Sequence, residues 1–240
     1  MTEFYRTFAE GMNSYIKAVT DLDIAAVQEL LTKDPKWKSW SEPSGKNALH
    51  YLCGVRSADD PQRADAALSI LKLLLKNGMD INSVHKIEDK ICDFFPATPL
   101  WYAYTRGRNE KLYKYLLKHG ADLSHCWWAI AWYDDIAAAK LWLKHGAKID
   151  KKPSLDDLFL GSFQWKKFAF ANWLLYNGAD VNAADDRGNT ALMLAVKRKD
   201  EDSIRLLIGR GADPDKLNND GLSARMIAET KGPKRLLDIF

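Results

Sequence analysis

One phrase recurs five times along the 240-residue chain and limits its fold more than any other feature. The phrase consists of two apolar residues, two variable residues, a glycine, a small residue and an aspartate or lysine. Its glycines are Gly78, Gly120, Gly146, Gly178 and Gly211, which are separated by 42, 26, 32 and 33 residues. A repeat of this length is typical of proteins built from small stacked units, because one unit alone cannot bury its apolar face.

The segment 187–213 shows how one unit is expected to fold. Thr190 is predicted to cap a short first helix, because its hydroxyl accepts a hydrogen bond from an early backbone N–H. Lys199 and Asp200 are expected to end that helix. Gly211 is expected to end the second helix in the left-handed conformation. The apolar stripe of the second helix consists of Ile204, Leu206, Leu207 and Ile208.

A second phrase recurs as ATPLWYAY (97–104), NTALMLAV (189–196) and LSARMIAE (222–229), with a weaker KNALHYLC at 46–53. Together with the sequence NGADVNA (177–183), these phrases resemble ankyrin repeats over about residues 45 to 240. The resemblance implies an all-α ankyrin-repeat solenoid of helix-turn-helix units with β-hairpin fingers. It also implies a protein–protein interaction module whose concave groove and fingers contact a partner.

The resemblance implies one domain over residues 1–240. Its predicted parts are an N-terminal helical cap (1–34, with helices at about 3–18 and 22–32), about five repeats (35–213) and a C-terminal capping repeat (214–240). The repeat at 123–148 is shortened and is expected to lack its finger. The insertion SADDPQRADA (57–66) is expected to lengthen a helix–helix connection, and extra residues within VHKIEDKICDFFPA (84–97) are expected to enlarge one finger.

Composition and charge disfavour several function classes. The net charge is +3, without the clustered basic face of a nucleic-acid binder. We therefore expect no nucleic-acid partner, and the short apolar stretches predict no membrane span. Cys53, Cys92 and Cys126 are odd in number and far apart, which predicts free thiols in a reducing compartment and a cytoplasmic protein.

Motifs for catalysis are missing from the sequence: it contains no Gly-x-Ser-x-Gly, His-Glu-x-x-His, phosphate-binding glycine loop or Cys-x-x-Cys. We therefore predict no catalytic residues, no enzyme activity and no cofactor. An enzyme site hidden on the scaffold is the alternative. Four acidic pairs are predicted to cap helices and turns rather than to catalyse. These pairs are Asp59–Asp60, Asp134–Asp135, Asp156–Asp157 and Asp185–Asp186.

Two histidines and a cysteine invite a metal-site hypothesis. His119, His125 and Cys126 lie close in sequence, but their spacing matches no zinc pattern, so we predict no metal site. His50 occupies a position where ankyrin repeats use a histidine to tie neighbouring units. Asn182 resembles the asparagine that asparaginyl hydroxylases modify in ankyrin proteins, although bridging the finger backbone is the favoured interpretation.

Aromatic residues are frequent between positions 100 and 175, and of twelve of them we expect most to form the core, with one to three exposed on the groove. Adjacent rings on a helix point about 100° apart, so the rings of Trp127, Trp128, Trp132 and Tyr133 cannot all face one neighbour. The twelve are Trp101, Tyr102, Tyr104, Trp127, Trp128, Trp132, Tyr133, Trp142, Phe159, Phe163, Trp165 and Trp173.

Partner-binding residues are predicted from the resemblance at the ends of the first helices and at the finger tips. They are Thr105, Arg106, Trp132, Asp186, Arg187, Asn189, Lys197 and Arg198, together with Phe94 and Phe95. Two alternatives stay open for Phe94 and Phe95: an exposed partner anchor, or burial by a finger that folds back.

The sequence does not identify the partner protein, so two functions stay open. One is a general adaptor, and the other is a dedicated inhibitor, either an immunity-type protein or a host-directed bacterial effector that blocks an enzyme. We expect a monomer. The apolar C-terminal end Leu236-Leu237-Asp238-Ile239-Phe240 leaves a homodimer or a buried cap as further alternatives.

Overall fold

The computed structural model describes residues 2–57, 59–89, 93–149, 153–231 and 234–240. These residues are almost all in helices and short turns, so the prediction of an all-α solenoid of helix pairs is confirmed. The chain divides into two compact units, Met1–Cys126 and Trp127–Phe240. That residues 1–240 behave as one domain stays a prediction.

The first unit consists of helix pairs arranged in two rows. Its helices are α1 (Thr2–Asp21), α2 (Ile24–Lys33), α3 (Ala48–Gly54), α4 (Pro61–Lys76), α5 (Pro99–Tyr102) and α6 (Glu110–Lys118). A π-helical turn, Ala103–Gly107, extends α5, and 3₁₀ turns form at Pro35–Lys38 and Ser124–Cys126. The helices α1, α3 and α5 pack in an inner row, and α2, α4 and α6 pack in an outer row. The fully buried side chains of Leu49, Leu52, Ile70, Leu71 and Leu112 fill the space between the rows.

The enlarged finger predicted within residues 84–97 is an antiparallel β-hairpin. Its strands are β1 (His85–Asp89) and β2 (Asp93–Ala97), with His85 opposite Ala97 and Asp89 opposite Asp93. A shorter finger is closed by a single β-bridge between Ser41 and Asn47. The extra residues therefore extend a finger into a paired ladder, as the sequence predicts.

The prediction for the insertion at 57–66 is wrong in part. Only residues up to Asp60 lie in the connection, and the rest extend the N-terminal end of α4, which is 16 residues long. Asp60 accepts hydrogen bonds from the backbone N–H groups of Gln62 and Arg63, and Pro61 occupies the first helical position. An aspartate cap followed by proline is a strong helix start, and it moves the boundary into the insertion.

The second unit repeats the two-row arrangement. Its helices are α7 (Trp127–Tyr133), α8 (Ile136–Lys144), α9 (Leu155–Gln164), α10 (Phe168–Tyr176), α11 (Ala191–Arg198), α12 (Glu201–Gly209) and α13 (Ala224–Lys231), followed by a 3₁₀ turn at Lys234–Ile239. The helices α7, α9, α11 and α13 contact one another in succession as the inner row. As predicted, α7 starts directly after the short turn that ends at Cys126, without a finger before it.

Local signals in the unit 187–213 are confirmed. The Thr190 hydroxyl accepts a hydrogen bond from the N–H of Met193 at 3.3 Å. Lys199 ends α11 with φ 58°, and Asp200 caps α12. Gly211 has φ 85°, a left-handed conformation that costs an L-residue strain. The acidic pairs also cap backbone groups as predicted: Asp135 begins α8 and Asp157 completes the capping box of α9.

The prediction that most aromatic residues between 100 and 175 are core is wrong. Five of the twelve are buried and four are exposed; the remaining three are half-buried. The exposed residues are Trp128, Trp132, Tyr133 and Trp165. The reason is geometric: α7 has only seven residues, and buries just Trp127, Ile130 and Ala131, so its other rings point outward.

The remaining sequence predictions concern thiols, the C-terminal end and membranes. Cys53 and Cys126 are buried and form no disulfide, whereas Cys92 lies outside the described residues. In the last turn Leu236 is fully buried and Leu237 is exposed, so that end is partly a buried cap. Within the described ranges, no helix has the length and apolar character needed to cross a membrane.

Candidate functional site

A polar groove lies over the inner row of the first unit. It is open to solvent and has a cavity volume of about 450 Å³. We call it the first groove and define it by its lining residues, which are Thr20, Lys46, His50, Tyr51, Gly54, Val55, Tyr102 and Arg106. The volume lies within the range of ligand-binding pockets.

The π-helical turn brings Arg106 to the first groove. The turn packs closely on the preceding helix pair, because a Cβ on Gly107 would lie 2.2 Å from the carbonyl oxygen of Cys53. The Thr105 hydroxyl donates to the Trp101 carbonyl oxygen at 2.7 Å. The exposed guanidinium of Arg106 lies 5.8 Å from the centre of the Trp101 ring. Of the predicted pair, Arg106 therefore faces the groove, and Thr105 stabilises the turn.

His50 forms part of the groove wall and ties two fingers together. Its Nδ1 accepts from the backbone N–H of Asn47 at 3.1 Å, which assigns the proton to Nε2. Nε2 then donates to the Ser83 carbonyl oxygen at 3.1 Å. Burial lowers the pKa of His50 to about 4, so the imidazole is neutral at physiological pH. This is the tying role that the resemblance implied.

Two tyrosines and a lysine complete the wall of the first groove. The Tyr51 hydroxyl donates to the Glu42 carboxylate. Burial and this carboxylate raise the pKa of Tyr51 to about 12. The ammonium of Lys46 lies 4.0 Å from the centre of the Tyr51 ring. The Tyr102 hydroxyl lies 2.7 Å from Nδ1 of His85. Burial raises the pKa of Tyr102. Both phenols therefore stay protonated and able to donate.

A cluster of exposed aromatic rings lies on the second unit. The Trp165 ring packs edge-to-face against Trp128 at 5.5 Å and against Trp132 at 5.3 Å between ring centres. The ammonium of Lys167 lies 5.4 Å from the centre of the Trp132 ring. We call these four residues the tryptophan surface. Trp132 is its most exposed ring, with 53% of its surface accessible.

Gly161 allows the tryptophan surface to form. A Cβ at this position would lie 2.6 Å from Cζ3 of Trp128, so a larger residue would displace that ring. The helix α9 thus supplies a flat site against which Trp128 packs.

The remaining predicted residues of the second unit lie around the finger before α11. Asp186 and Arg187 are exposed there. The Asp186 carbonyl oxygen accepts from the Asn219 side chain, and the Arg187 carbonyl oxygen accepts from the Asn219 backbone N–H. Lys197 is exposed and donates to Asn189 Oδ1 at 3.2 Å. Asn189 and Lys197 also line a smaller cavity of about 140 Å³.

Arg198 serves the fold of the second unit. Its guanidinium donates to the carbonyl oxygens of Phe163 at 3.1 Å and Gln164 at 2.6 Å, at the C-terminal end of α9. A cation there stabilises the helix end.

The hairpin places Phe94 and Phe95 in different surroundings. Phe94 is 37% exposed, and the ammonium of Lys86 lies 5.0 Å from its ring centre. Phe95 is half-buried and packs against Trp101, with 5.2 Å between ring centres. Phe94 is therefore exposed and Phe95 is half-buried, and a partner-anchor role for Phe94 stays a prediction.

The histidines near positions 119 and 125 have local partners. His119 stacks on Tyr115 at 3.8 Å between ring centres, and His125 Nε2 lies 3.8 Å from Asp122. Among the described residues, no three histidine, cysteine or acidic side chains are grouped as metal ligands.

Sequence reasoning missed several residues of these surfaces. It did not propose Lys46, Tyr51 or Tyr102 as groove residues, and it did not select Trp128 or Trp165 for the exposed set. The signal for the first two was the phrase KNALHYLC (46–53), which has the same position in its unit as NTALMLAV (189–196). No local signal distinguishes Trp165 from a core tryptophan.

Comparisons with known proteins agree with the repeat pattern. A family model described as "Ankyrin repeats (3 copies)" matches residues 160–239, and one described as "Ankyrin repeat" matches residues 97–128. The ankyrin repeat domain of Bcl-3 is similar in fold, with a TM-score of 0.67 and 20% identity over 94% of this chain and 96% of that one. The human ASB11 ankyrin repeat domain has a TM-score of 0.65 and 20% identity, over 94% of this chain and 97% of that one.

Curated relatives match over shorter stretches. A putative ankyrin repeat-containing protein from Treponema pallidum (strain Nichols) is 49% identical over 59 residues, which are 25% of this chain and 20% of the relative. Ankyrin repeat and SOCS box protein 6 from Pongo abelii is 33% identical over 124 residues, 44% of this chain and 29% of the relative. The matched region thus spans less than a third of the length of each relative.

Proposed function

This chain carries ankyrin repeats, and from that premise we propose that it is a non-catalytic module that binds a partner protein. The ankyrin family supports a general role in protein–protein interaction. The finer proposal is that the partner contacts the concave inner rows and the fingers. The predicted contacts that are exposed are Phe94, Arg106, Trp132, Asp186, Arg187 and Lys197.

The tryptophan surface is the observation that carries this proposal. Tryptophan, tyrosine and arginine dominate the binding energy of protein interfaces, and exposed clusters of such rings are uncommon on a surface with no partner. Trp132, Trp128 and Trp165 form such a cluster. Their mutual edge-to-face contacts hold the rings in place before binding, which lowers the entropy lost on association.

The partner's identity separates the two roles that the sequence leaves open. An adaptor would bind a component of a larger assembly, whereas a dedicated inhibitor would block one enzyme. The buried thiols of Cys53 and Cys126, which form no disulfide, support a reducing, cytoplasmic setting for either role. We expect the chain to act as a monomer.

The test is quantitative capture of a partner by the wild type, Trp132→Ala and Tyr176→Ala. Tyr176 is a matched control, since it is an exposed aromatic residue on the outer helix α10. Circular dichroism first confirms that all three proteins are folded. We expect one stoichiometric partner, retained by Tyr176→Ala and lost with Trp132→Ala. The purified partner then allows the affinities to be measured directly. Equal binding by both variants would contradict the proposed surface.

A further inference from the structure

We propose that the first groove binds a carboxylate side chain from an acidic segment of the partner protein, held between Lys46 and Arg106. This inference rests on the proposed function and specifies the chemistry of one part of the interface. It concerns a different unit of the chain from the tryptophan surface.

The shape of the first groove suits an inserted side chain. A cavity of about 450 Å³ is larger than any single side chain, so it accommodates an acidic residue with part of its backbone. The groove is open along the surface rather than enclosed, which suits a segment of polypeptide. Its residues come from α1, α3, α5, the π-helical turn and the finger before α3, so it is built across neighbouring helix pairs.

Two cations define the charge of the first groove. Among the described residues, neither Lys46 nor Arg106 forms an ion pair with an acidic side chain. Glu42 is the nearby acid, and its carboxylate accepts from the Tyr51 and Ser44 hydroxyls. The two cations and this carboxylate leave one net positive charge. A single carboxylate neutralises that charge, whereas a dianionic phosphate would exceed it.

The other titratable groups at the groove are uncharged near neutral pH. Burial lowers the pKa of both His50 and His85, and it raises the pKa of both Tyr51 and Tyr102. The lysine and the arginine are therefore the groups that select the charge of the ligand.

Both cations are positioned before a ligand arrives. The Lys46 ammonium lies over the Tyr51 ring, and the Arg106 guanidinium lies beside the Trp101 ring. A guanidinium matches the two oxygens of a carboxylate with parallel hydrogen bonds, and an ammonium adds a charge-assisted bond. Ring contacts restrict these flexible side chains, so less entropy is lost on binding.

The experiment measures binding of an acetylated, amidated hexaglutamate peptide by calorimetry, beside hexaglutamine and inorganic phosphate as separate probes. Amide NMR spectra report the location, with Gly54 and Arg106 as reporters in the groove. We expect hexaglutamate to bind, to shift these two signals and to weaken as salt increases, whereas hexaglutamine does not bind. Tighter binding of phosphate than of hexaglutamate would overturn the choice of a carboxylate.

Charge variants test the two cations. The variant Lys46→Gln/Arg106→Gln removes both from the groove, and Lys76→Gln/Lys118→Gln is the matched control. The control removes two exposed lysines from α4 and α6 of the same unit. We expect at least a tenfold loss of hexaglutamate affinity in the groove variant and less than a twofold loss in the control. Equal losses in both, or no binding to the wild type, would overturn the inference.

The captured partner distinguishes this inference from the proposed function. If the partner is lost with Trp132→Ala and retained by folded Lys46→Gln/Arg106→Gln, the module binds a protein and the carboxylate site is wrong. If the partner is lost with folded Lys46→Gln/Arg106→Gln and retained by Trp132→Ala, the carboxylate site stands and the tryptophan surface is wrong.

Discussion

The side-chain amide oxygen of Asn182 accepts a hydrogen bond from the backbone N–H of Asp213 at 2.7 Å. The amide nitrogen of the same side chain donates to the Gly211 carbonyl oxygen at 3.2 Å. One asparagine thus bridges the ends of two successive outer helices. This contact agrees with the bridging interpretation favoured from sequence.

Asn82 makes the same bridge in the first unit. Its side chain accepts from the N–H of Asp122 at 2.7 Å and donates to the Gly120 carbonyl oxygen at 3.3 Å. In both cases the asparagine comes shortly after the glycine that ends one outer helix. Its side chain then donates to the carbonyl oxygen of the glycine that ends the next outer helix.

Replacing Asn182 with alanine is expected to lower the free energy of unfolding by about 1–3 kcal/mol, because two backbone groups lose their partner. Asn177→Ala is the control, since Asn177 is exposed and its side chain donates only to the Trp173 carbonyl oxygen of the preceding helix. Urea unfolding of both variants measures the difference. Equal destabilisation would show that the bridge between units adds no stability.

Gly107→Ala is expected to destabilise the first unit by about 3 kcal/mol, since its Cβ would meet the backbone oxygen of Cys53, which cannot move aside. Gly209→Ala is the matched control, because no atom lies within 4 Å of its added Cβ. That change is expected to be neutral or stabilising by up to about 1 kcal/mol. Thermal unfolding of both variants tests the close approach, and an unaffected Gly107→Ala would contradict it.

The protein is expected to become less stable as the pH is lowered, because of His50. Burial lowers its pKa to about 4 in the folded state, and the charges of His85 and Lys46 act in the same direction. A histidine in the unfolded chain has a pKa of ~6.5. From pH 6.5 to pH 4 the unfolded chain therefore binds a proton that the folded chain does not. The expected loss reaches about 3 kcal/mol at pH 4, and the contribution is fully present above pH 6.5.

Urea unfolding of the wild type and His50→Gln between pH 7 and pH 4 isolates this effect. Carboxylates titrate in both proteins, so the difference between the two curves belongs to His50. Parallel curves would mean that His50 is not held neutral by the fold.

Two tryptophans of α7 are expected to differ in their effect on stability. Trp127 is 2% exposed and its Nε1 donates to the Lys148 carbonyl oxygen at 3.2 Å, so Trp127→Ala should cost about 3–5 kcal/mol. Trp132→Ala should cost about 1 kcal/mol or less, because a ring that is 53% exposed loses little burial. Calorimetric unfolding compares the two. A large loss for Trp132→Ala would place that ring in the core.

The sequence predicted the backbone features that depend on a few neighbouring residues. The cap at Thr190, the left-handed Gly211 and the enlarged finger before α5 follow from local chemistry and repeat length. The missing finger before α7 follows from the short spacing between Gly120 and Gly146. The start of α4 was missed because the Asp60–Pro61 pair is itself a helix start within an insertion.

By itself, the sequence determined the repeat, the helix pairs and their caps, because these depend on contacts between residues close along the chain. Only the tertiary structure decided which tryptophans are exposed, because that depends on how α7 and α9 pack. Tertiary packing also brought Lys46 and Arg106 to one groove. They are 60 residues apart in sequence, and only the stacking of inner helices places them together.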